Sequence, residues 1–175
     1  VPTCVLPDLA RLCEAEDVPA PPGLARLEAL LGDFEGLPTS TLPEDLTATL
    51  RDYQRRGIDW LDFLRTAGLG GLLADDMGLG KTVQVLAMLA DCALEKTHRP
   101  SLIIVPRSLM FNWFEEASRF CPQLAVLEYS GQARAALRED FDRYDIILTT
   151  YGTLRRDILD LKDIEFQYVV LAEAQ

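Results

Sequence analysis

The rhythm of apolar residues changes near residue 46. Ahead of it, prolines at 2, 7, 19, 21, 22, 38 and 43 cut the chain into short pieces. Two pieces keep helical spacing, one around Leu9 and Leu12 and one over Leu24, Leu27, Leu30 and Leu31 that stops at Gly32. Residues 1–45 read as a helical, proline-rich lead-in rather than an independent fold. From 46 to 175 helix and strand patterns alternate. Helices are predicted over Leu50–Leu64, with Tyr53, Ile58, Trp60, Leu61 and Leu64 on the buried side, and over Thr82–Leu94, with Val83, Leu86, Ala87, Ala90 and Leu94 at 3.6-type spacing. Further helices are predicted over Leu109–Phe120 and Ala133–Phe141, with a short one near Leu154–Leu159. Strands are predicted over Gly71–Asp75, Ser101–Pro106, Leu124–Tyr129, Asp145–Thr150 and Tyr168–Leu171. Continuously apolar strands between helices imply an α/β fold with a parallel sheet covered on both faces. Ligands of such sheets bind beyond the C-terminal strand ends.

Length and composition narrow the picture. A chain of 175 residues, 49% hydrophobic, can bury a real core. No run of eighteen apolar residues appears, so no membrane-spanning helix is expected. No charged-then-apolar leader is present, so secretion is not expected, and a start on Val1 rather than Met suggests a piece of something longer. The formal charge of −11 argues against a generic nucleic-acid binder, because phosphate contacts need Lys and Arg. Residues 1–50 hold 2 basic and 9 acidic side chains, a net of −7, against −4 for the remainder, which leaves room for a local basic stripe. The four cysteines, at 4, 13, 92 and 121, form no Cys-x-x-Cys pair, and His98 is the one histidine. Reduced, mostly buried thiols and a solvated loop histidine are the expected readings, not a metal site.

The chemistry concentrates in Leu72-Leu73-Ala74-Asp75-Asp76-Met77-Gly78-Leu79-Gly80-Lys81-Thr82. A strand, a glycine-containing loop and a helix opening on Lys-Thr are what a nucleoside-triphosphate site requires. Loop amides wrap the phosphates and the helix N-terminus presents its positive end to them. Lys81 can reach the β- and γ-phosphates, and the Thr82 hydroxyl can bind Mg²⁺. One departure is that Asp75 stands where the strict phosphate-loop pattern has Gly.

Several segments together resemble the Swi/Snf-type ATPases of helicase-like superfamily two. Leu50-Arg51-Asp52-Tyr53-Gln54-Arg55-Arg56-Gly57-Ile58-Asp59-Trp60-Leu61 resembles their glutamine motif, and Asp75–Thr82 resembles motif I. Ile103-Ile104-Val105-Pro106 with Ser108, Leu109, Asn112, Trp113 and Glu116 is similar to motif Ia, Asp145–Tyr151 to motif Ib, and Val169–Gln175 to motif II. The resemblance implies a P-loop, RecA-like three-layer sandwich with a mostly parallel sheet, here the first lobe of an ATP-driven translocase on double-stranded DNA. It implies that Gln54 reads the adenine edge, and that Asp76, Met77, Gly78, Leu79, Gly80, Lys81 and Thr82 hold ATP. Thr82 would hold Mg²⁺, and Lys81 and Glu173 would be catalytic, Glu173 by positioning the attacking water. Pro106, Ser108, Gly131, Thr149 and Thr150 would follow one DNA strand through small polar groups and amides that need little net charge. Trp113 reads as core, and Arg55 and Arg56 as solvated helix residues. The style of the lead-in suggests a bacterial member, with a cytoplasmic, nucleoid-associated setting and a nucleoprotein target.

Two departures matter. Motif II of the family has Asp where this chain has Ala172, and a methyl group cannot hold Mg²⁺ through its water shell, so weak or absent hydrolysis is expected. The sequence also stops inside motif II. The resemblance implies a further strand, between the phosphate-loop strand and the motif II strand, and a second RecA-like lobe. Missing partners at a buried gap would leave backbone groups unpaired, so neighbours outside this chain are expected. Three functions stay open here: an enzyme fragment, a non-hydrolysing nucleotide- or DNA-binding module in which Ala172 is natural, and a P-loop ATPase unrelated to DNA. The Thr149-Thr150-Tyr151 and Pro106/Ser108/Asn112-Trp113 segments speak against the third.

Overall fold

The computed structural model describes residues 36–76, 78–93 and 99–173. The helical pieces around Leu9, Leu12 and Leu24–Leu31, together with Met77, His98, Cys4 and Cys13, lie outside the described residues. The chain divides into two compact units, Val1–Ser40 with Arg51–Leu79, and Thr41–Leu50 with Gly80–Gln175.

The first unit is built on helix α1, Asp52–Ala67. The Arg51 amide donates to the Gln54 side-chain oxygen at 2.9 Å, satisfying a donor just ahead of the helix. Gly68 ends it in a left-handed conformation (φ 70°), its amide donating to the Arg65 carbonyl at 3.0 Å. Asp59 is buried yet satisfied. Its Oδ1 accepts from the Ser40 amide at 2.8 Å and hydroxyl at 2.7 Å, and Arg55 pairs with it at 3.2 Å. Arg55 is therefore not the solvated residue expected from sequence; the buried carboxylate one turn along draws it in. Arg56 is exposed.

The run Gly71–Asp75 forms no strand, which corrects the sequence reading. Leu72 is 80% exposed. A strand exists only by its ladder, and this run pairs with none of the four strands of the sheet. Gly71 instead passes close to α1: a Cβ there would stand 2.6 Å from Leu64 Cδ1.

The second unit carries the sheet. Its elements are α2 (Lys81–Cys92), β1 (Ser101–Val105), a 3₁₀ turn (Arg107–Leu109), α3 (Met110–Phe120), β2 (Val126–Glu128), a 3₁₀ segment (Ala133–Arg143), β3 (Ile146–Thr150), α4 (Tyr151–Leu161) and β4 (Val169–Leu171). The strand order is β2-β3-β1-β4 and every pairing is parallel, with Ile103 opposite Leu148 and Val170. Leu102, Ile104 and Ile147 join Tyr129, Phe141 and Leu161 in one core cluster. Strand alternation sends Ile103 and Val105 to the other face, where both are fully buried. Helices α2 and α3 pack together, α3 and α4 pack on β3, and α4 also reaches β1. This is the α/β, helix-covered parallel sheet that the apolar pattern implies. β4 differs from the inner strands: Val169 is 59% and Leu171 54% exposed.

The stretch 133–143 folds as 3₁₀ rather than the expected α-helix. Its anchors are tertiary. Phe141 meets the Tyr129 ring edge-on at 5.2 Å, and Arg134 and Arg138 pair with Asp157 and Asp160 of α4. α4 is longer than the predicted Leu154–Leu159 because the Thr150 hydroxyl caps it, accepting from the Thr153 amide at 3.2 Å. Trp113 is core, as expected, and Cys92 and Cys121 are free, buried thiols, Cys121 pushed up to about 11 by burial.

Candidate functional site

Within the first unit, α1 grips the start of the glycine loop. The Gln54 amide donates to the Leu79 carbonyl at 3.1 Å, and the Tyr53 hydroxyl donates to the same oxygen at 3.2 Å. The Leu79 amide turns back to the Asp76 carbonyl at 3.4 Å. Gly78 has φ 81°, and a Cβ there would meet nothing within 4 Å, so the left-handed backbone and not crowding demands glycine. Gln54 thus lies beside Leu79, just ahead of Gly80.

Within the second unit, Gly80 (φ 76°) leads into α2, which begins at Lys81. The first turn of a helix leaves amide donors without an intrahelical acceptor. Here no side chain caps them and no acidic residue stands in that turn. Burial raises the pKa of Glu116 on α3, while hydrogen bonding to Thr82 and the charge of Arg119 act against it. Sequence reasoning placed Glu116 in a motif without a role.

Motif II lies at the end of β4. The Ala172 amide donates to the Ile104 carbonyl at 2.9 Å, and the Ala172 carbonyl accepts from the Tyr151 hydroxyl at 2.9 Å. Glu173 follows with φ 52°, the one non-glycine residue with positive φ among the described residues. Its carboxylate is exposed just past the C-terminal end of a parallel strand, the end at which ligands of such sheets bind.

A second feature is an open cleft of about 690 Å³ at the C-terminal ends of β1, β2 and β3. Arg107, Arg134 and Arg156 line it with Ser130, Gly131 and Thr150, against a single carboxylate, Glu128. The net charge of −11 thus hides a locally basic surface, and the three arginines are what sequence reasoning missed. Their positions, scattered over fifty residues, gave no signal as a run. Of the residues expected on nucleic acid, Gly131 and Thr150 line the cleft, while Pro106 and Ser108 flank Arg107 in the 3₁₀ turn. Thr149 does not line it: it is fully buried and its hydroxyl donates to the Tyr129 carbonyl at 2.8 Å.

Below the cleft rim lies a polar clamp. Asp157 accepts from the Tyr129 hydroxyl at 2.8 Å and from Arg134 at 2.5 and 2.7 Å. Arg134 also donates to the Gly131 carbonyl at 2.5 Å, so the clamp fixes the left-handed Gly131 turn (φ 77°). The Arg134 guanidinium and then the Tyr129 hydroxyl hold the Asp157 carboxyl down to about 2. Among the described residues no group of three or more His, Cys, Asp or Glu gathers to hold a metal, and no helix is long and apolar enough to cross a membrane.

Comparison with known proteins agrees with this geometry. Residues 53–175 match the SNF2-related domain. The chromatin-remodeling ATPase INO80 of Arabidopsis thaliana is 42% identical over 151 residues, covering 78% of this chain and 10% of its own length. Helicase ssl-1 of Caenorhabditis elegans is 40% identical over 140 residues, 77% of this chain and 6% of its own length. The chain therefore spans about a tenth or less of these curated relatives. Among solved structures, the Sulfolobus solfataricus SWI2/SNF2 ATPase core in complex with dsDNA aligns with TM-score 0.70 and 42% identity, over 77% of this chain and 28% of that one. The sequence match, the parallel sheet and the loop geometry together place this chain in the SNF2-related ATPase family.

Proposed function

We propose that this chain is the nucleotide-binding first lobe, over 46–175, of an ATP-driven translocase on double-stranded DNA. The observation that carries the reading is the clasp of Gln54 on the Leu79 carbonyl, 25 residues away, which ties the glutamine motif to the phosphate loop. The residues fit a magnesium nucleotide. Gly78 and Gly80 supply left-handed backbone, and the α2 N-terminus carries no acidic residue to repel phosphate. Thr82 would hold Mg²⁺, which when bound would offset the phosphate charge.

The chain's own residues divide the remaining work. Gln54 would read the adenine edge through the donor and acceptor capacity its amide keeps beyond the bonds to Leu79 and Arg51. Asp76 through Thr82 wrap the phosphates, Lys81 neutralises them, and Thr82 supplies the oxygen for the metal. Glu173 orients the attacking water. The basic cleft holds one DNA strand through Arg107, Arg156, Thr150 and the Gly131 turn, with Pro106 and Ser108 alongside, and Thr149 supports them from the core. The Sulfolobus core's complex with dsDNA supports this partner.

The reading includes a second RecA-like lobe in a longer protein, and a nucleoprotein target such as the relatives' description as chromatin-remodeling ATPases supports. It carries no bacterial, nucleoid-associated setting, since the relatives named above are eukaryotic and archaeal. Ala172 sets the activity: the lobe binds ATP and turns it over slowly or not at all. In a longer protein that includes the second lobe, Ala172→Asp is expected to raise DNA-stimulated ATP hydrolysis by at least about 100-fold, on the order of 3 kcal/mol of barrier. An unchanged rate, with the protein folded and bound to DNA, would contradict this and favour a non-hydrolysing binding module.

A further inference from the structure

Helix α3 buries Met110, Trp113 and Ala117, the stripe that faces the interior. Phe111 and Phe114 stand beside that stripe on a shared side of the helix and stay in water, Phe111 71% and Phe114 41% exposed. Both line the cleft that also holds Arg107, Arg134 and Arg156. We propose that this cleft takes unpaired nucleotides, with arginines on the phosphates and Phe111 and Phe114 stacked on exposed base faces. The inference rests on the reading of the cleft as the DNA surface and deepens it by naming the form of DNA: a single strand, a gap or a frayed end.

A single exposed phenylalanine is ordinary on a protein surface, whereas two on one side of a helix, inside a charged cleft, call for a partner. An intact duplex offers them none. Its base faces are stacked on one another, and it presents phosphate, sugar and base edges to the outside. Cations and small polar groups suffice for that surface. An unpaired base shows a flat apolar face, and aromatic side chains beside a basic groove hold such faces whatever the sequence. Both exposed side chains on this wall of α3 are flat rings, a shape that suits a base more closely than the aliphatic side chains of a peptide. Charge selects a polyanion. Arg134 is held by Asp157 and the Gly131 carbonyl, while Arg107 and Arg156 are exposed in the same cleft. The one carboxylate of the lining, Glu128, accepts from the Ser130 hydroxyl at 2.6 Å. Rings and cations thus share one cleft, as bases and phosphates share one strand.

The test is fluorescence anisotropy of the 175-residue chain with two labelled probes, an oligothymidylate about 15 nucleotides long and a duplex of the same length. Phe111→Ala and Phe114→Ala are each expected to lower single-strand affinity by about 5- to 100-fold, the range for loss of one stacked base, and to leave duplex affinity within about twofold. Phe111→Tyr keeps the ring and should retain the single strand. Phe111→Leu keeps apolar bulk without a ring and should lose nearly as much as the Ala variant. Arg107→Ala should weaken both probes and lower the slope of log affinity against log salt by about one. If Phe114→Ala does not fold, the Phe111 series carries the test. Unchanged single-strand affinity in the Phe variants, or equal losses on both probes, overturns the inference and leaves duplex binding standing. Tighter binding of an acidic, leucine-rich peptide than of the single strand, lost in Phe111→Ala, overturns it in favour of a protein partner. Absence of binding to either probe by the unaltered chain overturns the DNA reading of the cleft and this inference with it.

Discussion

Two apolar runs of nearly the same character meet opposite fates. Leu72-Leu73-Ala74, ahead of the phosphate loop, is unpaired, with Leu72 80% exposed. Ile103-Ile104-Val105 forms the middle of the parallel sheet, each residue fully buried and laddered to β3, with Ile103 and Ile104 also paired to β4. Hydrophobicity does not separate them. Neighbours do: a parallel strand is stable when both edges find partners and both faces find helices. β4 stands between the two cases, paired to β1 with Val169 and Leu171 more than half exposed.

Mutagenesis can widen or collapse this contrast. Ile104→Ala should destabilise the second unit by about 3–4 kcal/mol in urea unfolding, through lost burial and the cavity left behind. The same truncation at Leu72 should change stability by no more than about 0.5 kcal/mol. Comparable losses at both positions would mean that the Leu72 run is paired in solution.

The clamp beneath the cleft gives the next largest effect. Asp157→Asn removes the charge that satisfies Arg134 and is expected to cost about 2–3 kcal/mol, while loosening the Gly131 turn and weakening DNA binding. The same carboxylate gives a pH signature. Its folded value of about 2 lies below the ordinary 3.8, so the unfolded chain binds the proton more readily. Its stabilisation is therefore full above the unfolded value and drains away as pH falls through the window between the two. The Asn variant should lose less stability than the unaltered chain across that window; parallel acid curves would show the clamp to be inert.

How much of this was legible beforehand follows from the range of each signal. β1 and β3 were read to within a residue, because continuous apolar runs such as Ile103–Val105 are a local property. The glycine loop was legible for the same reason, since Gly78 and Gly80 are needed for backbone that other residues adopt at a cost. The failed strand at 71–75 was not legible, because pairing is a property of what lies alongside. The 3₁₀ form of 133–143 was hidden too, since Arg134 is fastened to Asp157 across 23 residues. The basic cleft was invisible in a chain of net charge −11, because three isolated arginines become a patch only once the strand ends bring them to one cleft. Thr149 looked like a surface contact and is core; alternation of side chains along β3 decides its face.

The account stands on the grip of the loop and the α2 N-terminus on a triphosphate. Titration of Mg²⁺-ATP into the unaltered chain and into Lys81→Ala, followed by calorimetry, tests it most directly. The predicted result is saturable one-site binding by the unaltered chain, weakened about 10- to 100-fold by the substitution, the range for a hydrogen bond to a charged group. Equal affinities in the two proteins, or no binding by the unaltered chain, would contradict it.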